Sequence, residues 1–309
     1  MASNSFAKSV KGFVVYDIKG ELDLKKIIEL ENFEHLRYRI ANENEFGSIG
    51  FLPTQPLEVN EDGEVLVEEE FVTEVGNFVC IKIGQSKKKI PASAVKRKVK
   101  ELITKAKEEA KDRGEEFELT KDLKDFYKDQ ATRLLLPSCK DFVDEFETHL
   151  FFDKGTERLY VLIPNYTKAE SLTAFLRVHL GSVPSVVVET EHPVKDSLTK
   201  FVTSQLNDKL ILKSYVKLEG DLGNVVWDKE SVYDTAAKDL INKDNFSVTK
   251  LALNYDGAVD FLLDEELCFS GLKFEKSFFQ AGDTFSSELL DVAGELNKIV
   301  REVLKEINK

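Results

Sequence analysis

The sequence predicts an α+β protein, and three observations carry that prediction. Two pairs of strand-like runs flank tight turns, Asp153-Lys154-Gly155-Thr156 and Asp256-Gly257, where glycine reaches positive φ at little cost. A helical hairpin is written between residues 91 and 136, broken at Gly114. From Ser286 onward, Leu289, Ala293, Leu296, Val300, Val303 and Ile307 recur at alternating steps of four and three, which puts one apolar seam along a C-terminal helix.

In chain order, residues 10–18 are rich in Val, Phe and Tyr and suit a half-buried strand. Leu24, Ile27, Ile28 and Leu30 follow at helical spacing. The run Phe46-Gly47-Ser48-Ile49-Gly50-Phe51-Leu52-Pro53 reads as punctuation, because glycine and proline interrupt regular structure. From Glu58 to Glu74 the chain carries eight acids and no base, which reads as a solvated hairpin, with a partner-binding or DNA-mimicking surface as the functional alternative. Residues 77–84 alternate as a strand, with Phe78, Cys80 and Lys82 on one face and Val79, Ile81 and Ile83 on the other. Lys87-Lys88-Lys89 then form a connector to a helix opened by Pro91 or Ser93, whose apolar stripe is Val95, Val99, Leu102, Ala106 and Ala110. A second helix begins near Thr120, carries Leu123, Phe126, Gln130 and Leu134 roughly on one face, and stops before Pro137.

Beyond the first strand hairpin, Thr167-Lys168-Ala169-Glu170 spells a capping box for a helix that buries Leu172, Phe175, Leu176 and Leu180 and closes at Gly181. Residues 184–188 read as a buried strand, and Leu198, Phe201 and Val202 mark a helix. Strands at 209–220 and 223–228, a short helix at 231–242 and the Asp256-Gly257 hairpin complete the body, against which the C-terminal seam is expected to pack.

Composition limits the function. The 309 residues and 42% hydrophobic content suffice for one large core or two to three smaller ones. No apolar run approaches the roughly 20 residues of a membrane span, and the first residues lack a signal-peptide pattern, so a cytoplasmic protein is expected. Cys80, Cys139 and Cys268 lie far apart with no CxxC spacing, which leaves buried free thiols as the simplest reading. The two Asn-x-Ser/Thr matches, at Asn165 and Asn245, are read as chance.

Charge is distributed unevenly. The chain carries a formal −13, yet residues 82–113 hold twelve Lys or Arg against four acids. An acidic body repels phosphate, so contact with DNA would have to be regional. Lys96, Arg97, Lys98 and Lys100 gather near a helix N-terminus, where the macrodipole disfavours cations; that mismatch weighs towards function. Glu101, Glu108, Glu109 and Asp112 offset the later bases, so residues 87–100 are the expected DNA-facing part, with a solvated helix face as the alternative.

No catalytic constellation is visible. His35, His149, His179 and His192 are scattered, and neither a Walker loop nor GxGxxG occurs. Asp17-Ile18-Lys19 has the acid-x-Lys pattern of metal-dependent nucleases, but in so charged a chain about eight such triplets arise by composition alone. The aromatic rings follow the apolar periodicities, with Trp227 at the core or its rim. Neither a metal nor a cofactor is expected.

Several blocks, in order, resemble the recombination-associated RdgC family: FVVYDI, GSIGFLP, the run from Asn77 to Glu101, LLLP, SLTAFLRVHLGSVPSVV and VTKLALN. The resemblance implies a curved monomer of several subdomains that pairs into a two-fold ring, a homodimer around double-stranded DNA. It also implies binding without sequence preference, including possible use of single-stranded DNA, nucleoid association, and restraint of a RecA-type recombinase. No membrane partner is implied. The expected unit spans 1–309, with an N-terminal α+β part at 1–85, the basic helical hairpin at 86–136, α+β parts at 137–216 and 217–283, and the C-terminal helix at 284–309. The expected DNA contacts are Lys87, Lys88, Lys89, Lys96, Arg97, Lys98 and Lys100, with Lys229 beside Trp227-Asp228 and Lys250 within VTKLAL carried over from the family. After LLLP the family shows an Arg-Ala-Phe type sequence where this chain has Ser138, Cys139 and Lys140, so Ser138 and Lys140 take that dimer-contact position without an aromatic ring. Alternatives are an acidic module that engages a recombinase without DNA, and a metal-dependent exonuclease.

Overall fold

The computed structural model describes residues 6–55, 58–59, 65–204, 206–221, 223–228, 235–275, 278 and 284–309. In chain order the elements are α1 (Phe6–Ser9), β1 (Gly12–Ile18), a 3-10 helix at Leu24–Glu29, α2 (Phe33–Leu36), β2 (Gly47–Leu52), β3 (Glu58–Val59), β4 (Val65–Val67), β5 (Val72–Val75) and β6 (Phe78–Lys88). Then come α3 (Ala92–Asp112), α4 (Lys121–Leu135), a 3-10 turn at Pro137–Cys139, β7 (Val143–Asp153), β8 (Arg158–Val161), α5 (Tyr166–Leu180), β9 (Ser185–Val187) and α6 (Val194–Thr203). The chain finishes with β10 (Leu210–Gly220), β11 (Gly223–Trp227), α7 (Thr235–Asp244), β12 (Ser247–Tyr255), β13 (Val259–Asp264), β14 (Cys268–Phe274) and α8 (Phe285–Ile307). The fold is α+β with a large antiparallel sheet.

Two compact units are built from interleaved segments. The first comprises Met1–Glu31, Pro53–Lys82 and Thr148–Lys309. Its strands run in the order β11-β10-β12-β13-β14-β1-β8, continued by residues 148–153 of β7 and 78–82 of β6, with β9 on β1 and β5 on β6. At the centre Phe13 of β1 faces Phe269 of β14, their rings stacked with centroids 4.3 Å apart. The seam of α8 lies in this core: Leu289, Ala293, Leu296, Val300, Val303 and Ile307 are all buried, as the spacing required. Thr284 caps that helix by accepting the Ser287 N–H.

The second unit comprises Asn32–Leu52 and Ile83–Glu147. Here the run read as punctuation is a strand, β2, placed beside β6. Its glycines serve close approach: a Cβ at Gly47 would sit 2.3 Å from the Ser86 carbonyl oxygen, and one at Gly50 would sit 2.7 Å from that of Leu36. Glycine inside a strand pattern therefore marked contact between backbones, and the expectation of irregular structure is corrected. The helical hairpin is present, but it buries little of itself; along α3 and α4 only Ala110 and Ala131 are buried.

Other differences have physical causes. Strand β6 runs on through Lys87 and Lys88, so those residues lie in regular structure and only Lys89 belongs to the connector. On α4 the inward face is Leu123, Tyr127, Ala131 and Leu135, while Phe126 and Leu134 are exposed. A four-residue step from Leu123 fits a helix as well as the three-residue step that was expected. The cap of α5 is Asn165, which accepts the Lys168 N–H, two residues earlier than Thr167 would have capped. Strand β9 leaves Val186 and Val187 exposed where a buried strand was expected, since it pairs only with the end of β1. The 3-10 helix after β1 buries Leu24 and Ile27 and exposes Ile28.

In the acidic segment, β3 and β4 pair as a hairpin, and Glu74 of β5 accepts from both Lys154 and Lys25, which hold its carboxyl down at about 2. Its residues 60–64 lie outside those described.

Candidate nucleic-acid interface

The basic island enters the structure as the end of β6, a short connector and α3. Successive residues of a strand point to opposite faces, and this alternation separates the lysines. Lys87 is exposed. Lys88 is buried, and its ammonium donates to the carbonyls of Asn42 and Glu43, both at 2.7 Å, and to that of Leu136 at 3.4 Å. An ammonium so occupied is unavailable to phosphate, which removes Lys88 from the expected contacts. Lys89 is exposed, with Asp144 2.6 Å from its ammonium.

Pro91 opens α3 with an extended backbone, no side-chain cap and no acid in the first turn. At about 100° per residue, Lys96, Arg97, Lys100, Lys107 and Lys111 fall within an arc of roughly 100° that contains no acid. All five are exposed. Lys98 and Lys105 lie on the adjoining arc with Glu101, Glu108, Glu109 and Asp112. The ion pairs on this helix follow the same division: Lys98 meets Glu101 at 2.8 Å and Lys105 meets Glu109 at 3.9 Å. Lys98 is thus turned away from the basic stripe and neutralised locally. Lys107 and Lys111, set aside with the salt-bridged half of the helix, belong to the stripe instead; reading angles in place of sequence windows finds them. Lys107 also lies 5.9 Å from the centre of the Phe117 ring. From Lys96 to Lys111 the stripe runs about 22 Å at 1.5 Å per residue.

The remaining expected residues are dispersed. Lys250 sits on β12 of the first unit, opposite Lys217 of β10 and Asp264 of β13, with its ammonium 3.7 Å from the Asp264 carboxylate. Lys229 lies outside the described residues. Ser138 and Lys140 are both exposed around the 3-10 turn after α4, and Cys139 between them is buried. Trp227 is half-buried on β11, opposite Val216.

Groups capable of chemistry are engaged elsewhere. Asp17 accepts from Arg158 at 3.0 Å, and Lys19 pairs with Glu189 at 3.8 Å. All three cysteines are buried with free thiols. Burial pushes the Cys80 thiol well up, and burial together with Asp264 raises Cys268 to about 12. His149 packs against the rings of Phe6 and Phe285, and burial, helped by the charge of Lys82, pushes it down to about 3. Among the described residues no group of three or more His, Cys, Asp or Glu is placed to hold a metal ion, and no helix is long and apolar enough to cross a membrane.

The family model described as "Putative exonuclease, RdgC" matches residues 10–307. The chain is 28% identical over 215 residues to a recombination-associated protein RdgC of Shewanella denitrificans, covering 69% of this chain and 68% of that protein. It is 27% identical over 233 residues to the protein of the same name from Shewanella frigidimarina, with 73% and 72% covered. The counterpart from Mannheimia succiniciproducens aligns over 96% of both chains at 23% identity.

Proposed function

The chain belongs to the RdgC family, and on that premise we propose that it binds duplex DNA without sequence preference through the exposed basic stripe of α3. The observation that carries this reading is the acid-free arc of Lys96, Arg97, Lys100, Lys107 and Lys111 on a chain of formal charge −13. Cations concentrated in one row gain phosphate contacts and release counterions, and they read no base edges. Lys87, exposed beside the inward-facing Lys88, extends the contact surface, whereas Lys89 is paired with Asp144 and contributes less. Lys250 carries a charge largely answered by Asp264 and contributes little.

The relatives named for recombination support a role in that process. In this reading the protein closes as a two-fold homodimeric ring on double-stranded DNA, doubles its basic stripe, and restrains a RecA-type recombinase by occupying the duplex. Ser138 and Lys140, exposed after α4, form part of one ring contact.

The test is the salt dependence of duplex binding. The wild-type chain should show a steep fall of log affinity with log salt. Neutralising the five stripe residues to Gln should flatten it, each lost phosphate contact lowering the slope by about 0.9. Neutralising Lys98 and Lys105 on the other arc should leave it nearly unchanged. Equal slopes for the two variants would remove the stripe from the binding surface. A monomeric mass by sedimentation, with and without DNA, would overturn the ring.

The family description favours a second reading, exonuclease action. Shortening of a linear end-labelled duplex that requires Mg²⁺ and is abolished by EDTA would establish it.

A further inference from the structure

The helical hairpin of the second unit leaves its apolar stripe incompletely covered. Val95, Val99 and Ile103 of α3 form the floor of an open groove of about 690 Å³, and Lys128 and Lys124 of α4 stand along one wall with Lys96 of α3 on the other. None of these three lysines forms an ion pair among the described residues, and Asp125 is the one acid in the lining.

We propose that this groove docks an acidic amphipathic helix of a partner protein. Two helices that bury only Ala110 and Ala131 between them have room for a third, and the floor dictates that the third be apolar on one side. The walls dictate its flanks. Lys124 and Lys128 are one turn apart, roughly 6 Å, and so match carboxylates spaced four residues on a facing helix. Lys96 answers acids on the opposite flank. The floor runs from Val95 to Ile103, about 12 Å of helix axis, enough to seat about two turns. Duplex DNA would gain nothing from a Val and Ile floor, whereas an uncharged apolar ligand would leave three ammonium groups unanswered. The groove shares Lys96 with the stripe, so the test substitutes Lys124 and Lys128, which lie on α4 outside the stripe.

The test uses the full chain and a fluorescent, helix-stapled 14-residue peptide with Leu on one face and Glu at i, i+4 along both flanks, titrated by anisotropy at physiological salt. Saturable binding is expected, weakened about tenfold by Lys124→Gln with Lys128→Gln, which removes two charge pairs. It should be weakened at least as much by Ile103→Asn, with circular dichroism showing the helices intact. A peptide with the same composition in scrambled order should fail to bind. Absence of binding would overturn the proposal, as would equal binding of the scrambled peptide, which signals bulk electrostatics only. So would a concentration-dependent mass that falls to monomer in Ile103→Asn, which would assign the groove to a second copy of this chain.

Discussion

The ammonium of Lys88 lies 2.7 Å from the carbonyl oxygen of Asn42, inside the second unit, and makes a base of the island a fastening for the loop before β2. Its other acceptors, Glu43 and Leu136, extend the tie to the end of α4. Removing the charge leaves buried carbonyls without their donor. Lys88→Met should therefore lower stability by about 2 to 3 kcal/mol in urea denaturation, within the range for hydrogen bonds to charged groups. The folded fraction should keep the wild-type salt slope for DNA, while Lys87→Gln should show the reverse pattern of unchanged stability and a shallower slope.

The stripe of α3 yields a prediction that separates two readings of the same helix. If phosphate contact stopped at Lys100, Lys107 and Lys111 would be ordinary surface. With an acid-free arc continuing to Lys111, the pair Lys107→Gln with Lys111→Gln should reduce the slope of log affinity against log salt by about 1.8. Titration of one duplex length at several salt concentrations reads this directly.

Why this stripe was half legible follows from how charge is read. Counting Glu101, Glu108, Glu109 and Asp112 in a linear window cancels Lys107 and Lys111, while on the helix those acids face elsewhere, Glu101 pairing with Lys98 and Glu109 with Lys105. The α8 seam was fully legible because one long period fixes one face. The inward face of α4 was not, since Phe126 and Tyr127 are adjacent aromatic residues and local spacing does not choose between them. Lys88 was illegible in principle: its acceptors Asn42 and Leu136 are distant in sequence, and a buried lysine in a basic run looks like its neighbours.

Glycines misread as punctuation give a prediction of opposite signs. Gly47→Ala places a Cβ against the Ser86 carbonyl oxygen, backbone that cannot rotate aside, and should cost about 2 to 3 kcal/mol in denaturant unfolding. Gly294, in the interior of α8, has open space where a Cβ would go. Gly294→Ala should stabilise by up to about 1 kcal/mol through helix propensity.

Acid should find a defined weak point at His149. Its folded-state pKa of about 3 lies below the ordinary 6.5, so the native imidazole stays neutral while the unfolded chain takes up a proton as pH falls. The stabilising contribution is complete above pH 6.5 and is lost progressively between 6.5 and 3. Glu45 and Glu74, both held at about 2 by basic partners, start to lose their contributions only as pH drops through the ordinary carboxylate range. Between pH 6.5 and 5 the histidine therefore acts largely apart from them. Moving from pH 7 to 5 should cost the wild type about 1 to 2 kcal/mol through this group. His149→Phe keeps an aromatic ring against Phe6 and Phe285 and removes the titration, so its urea midpoint should change less over that interval. Parallel pH profiles for the two proteins would show that His149 is protonated in the folded state at its ordinary value.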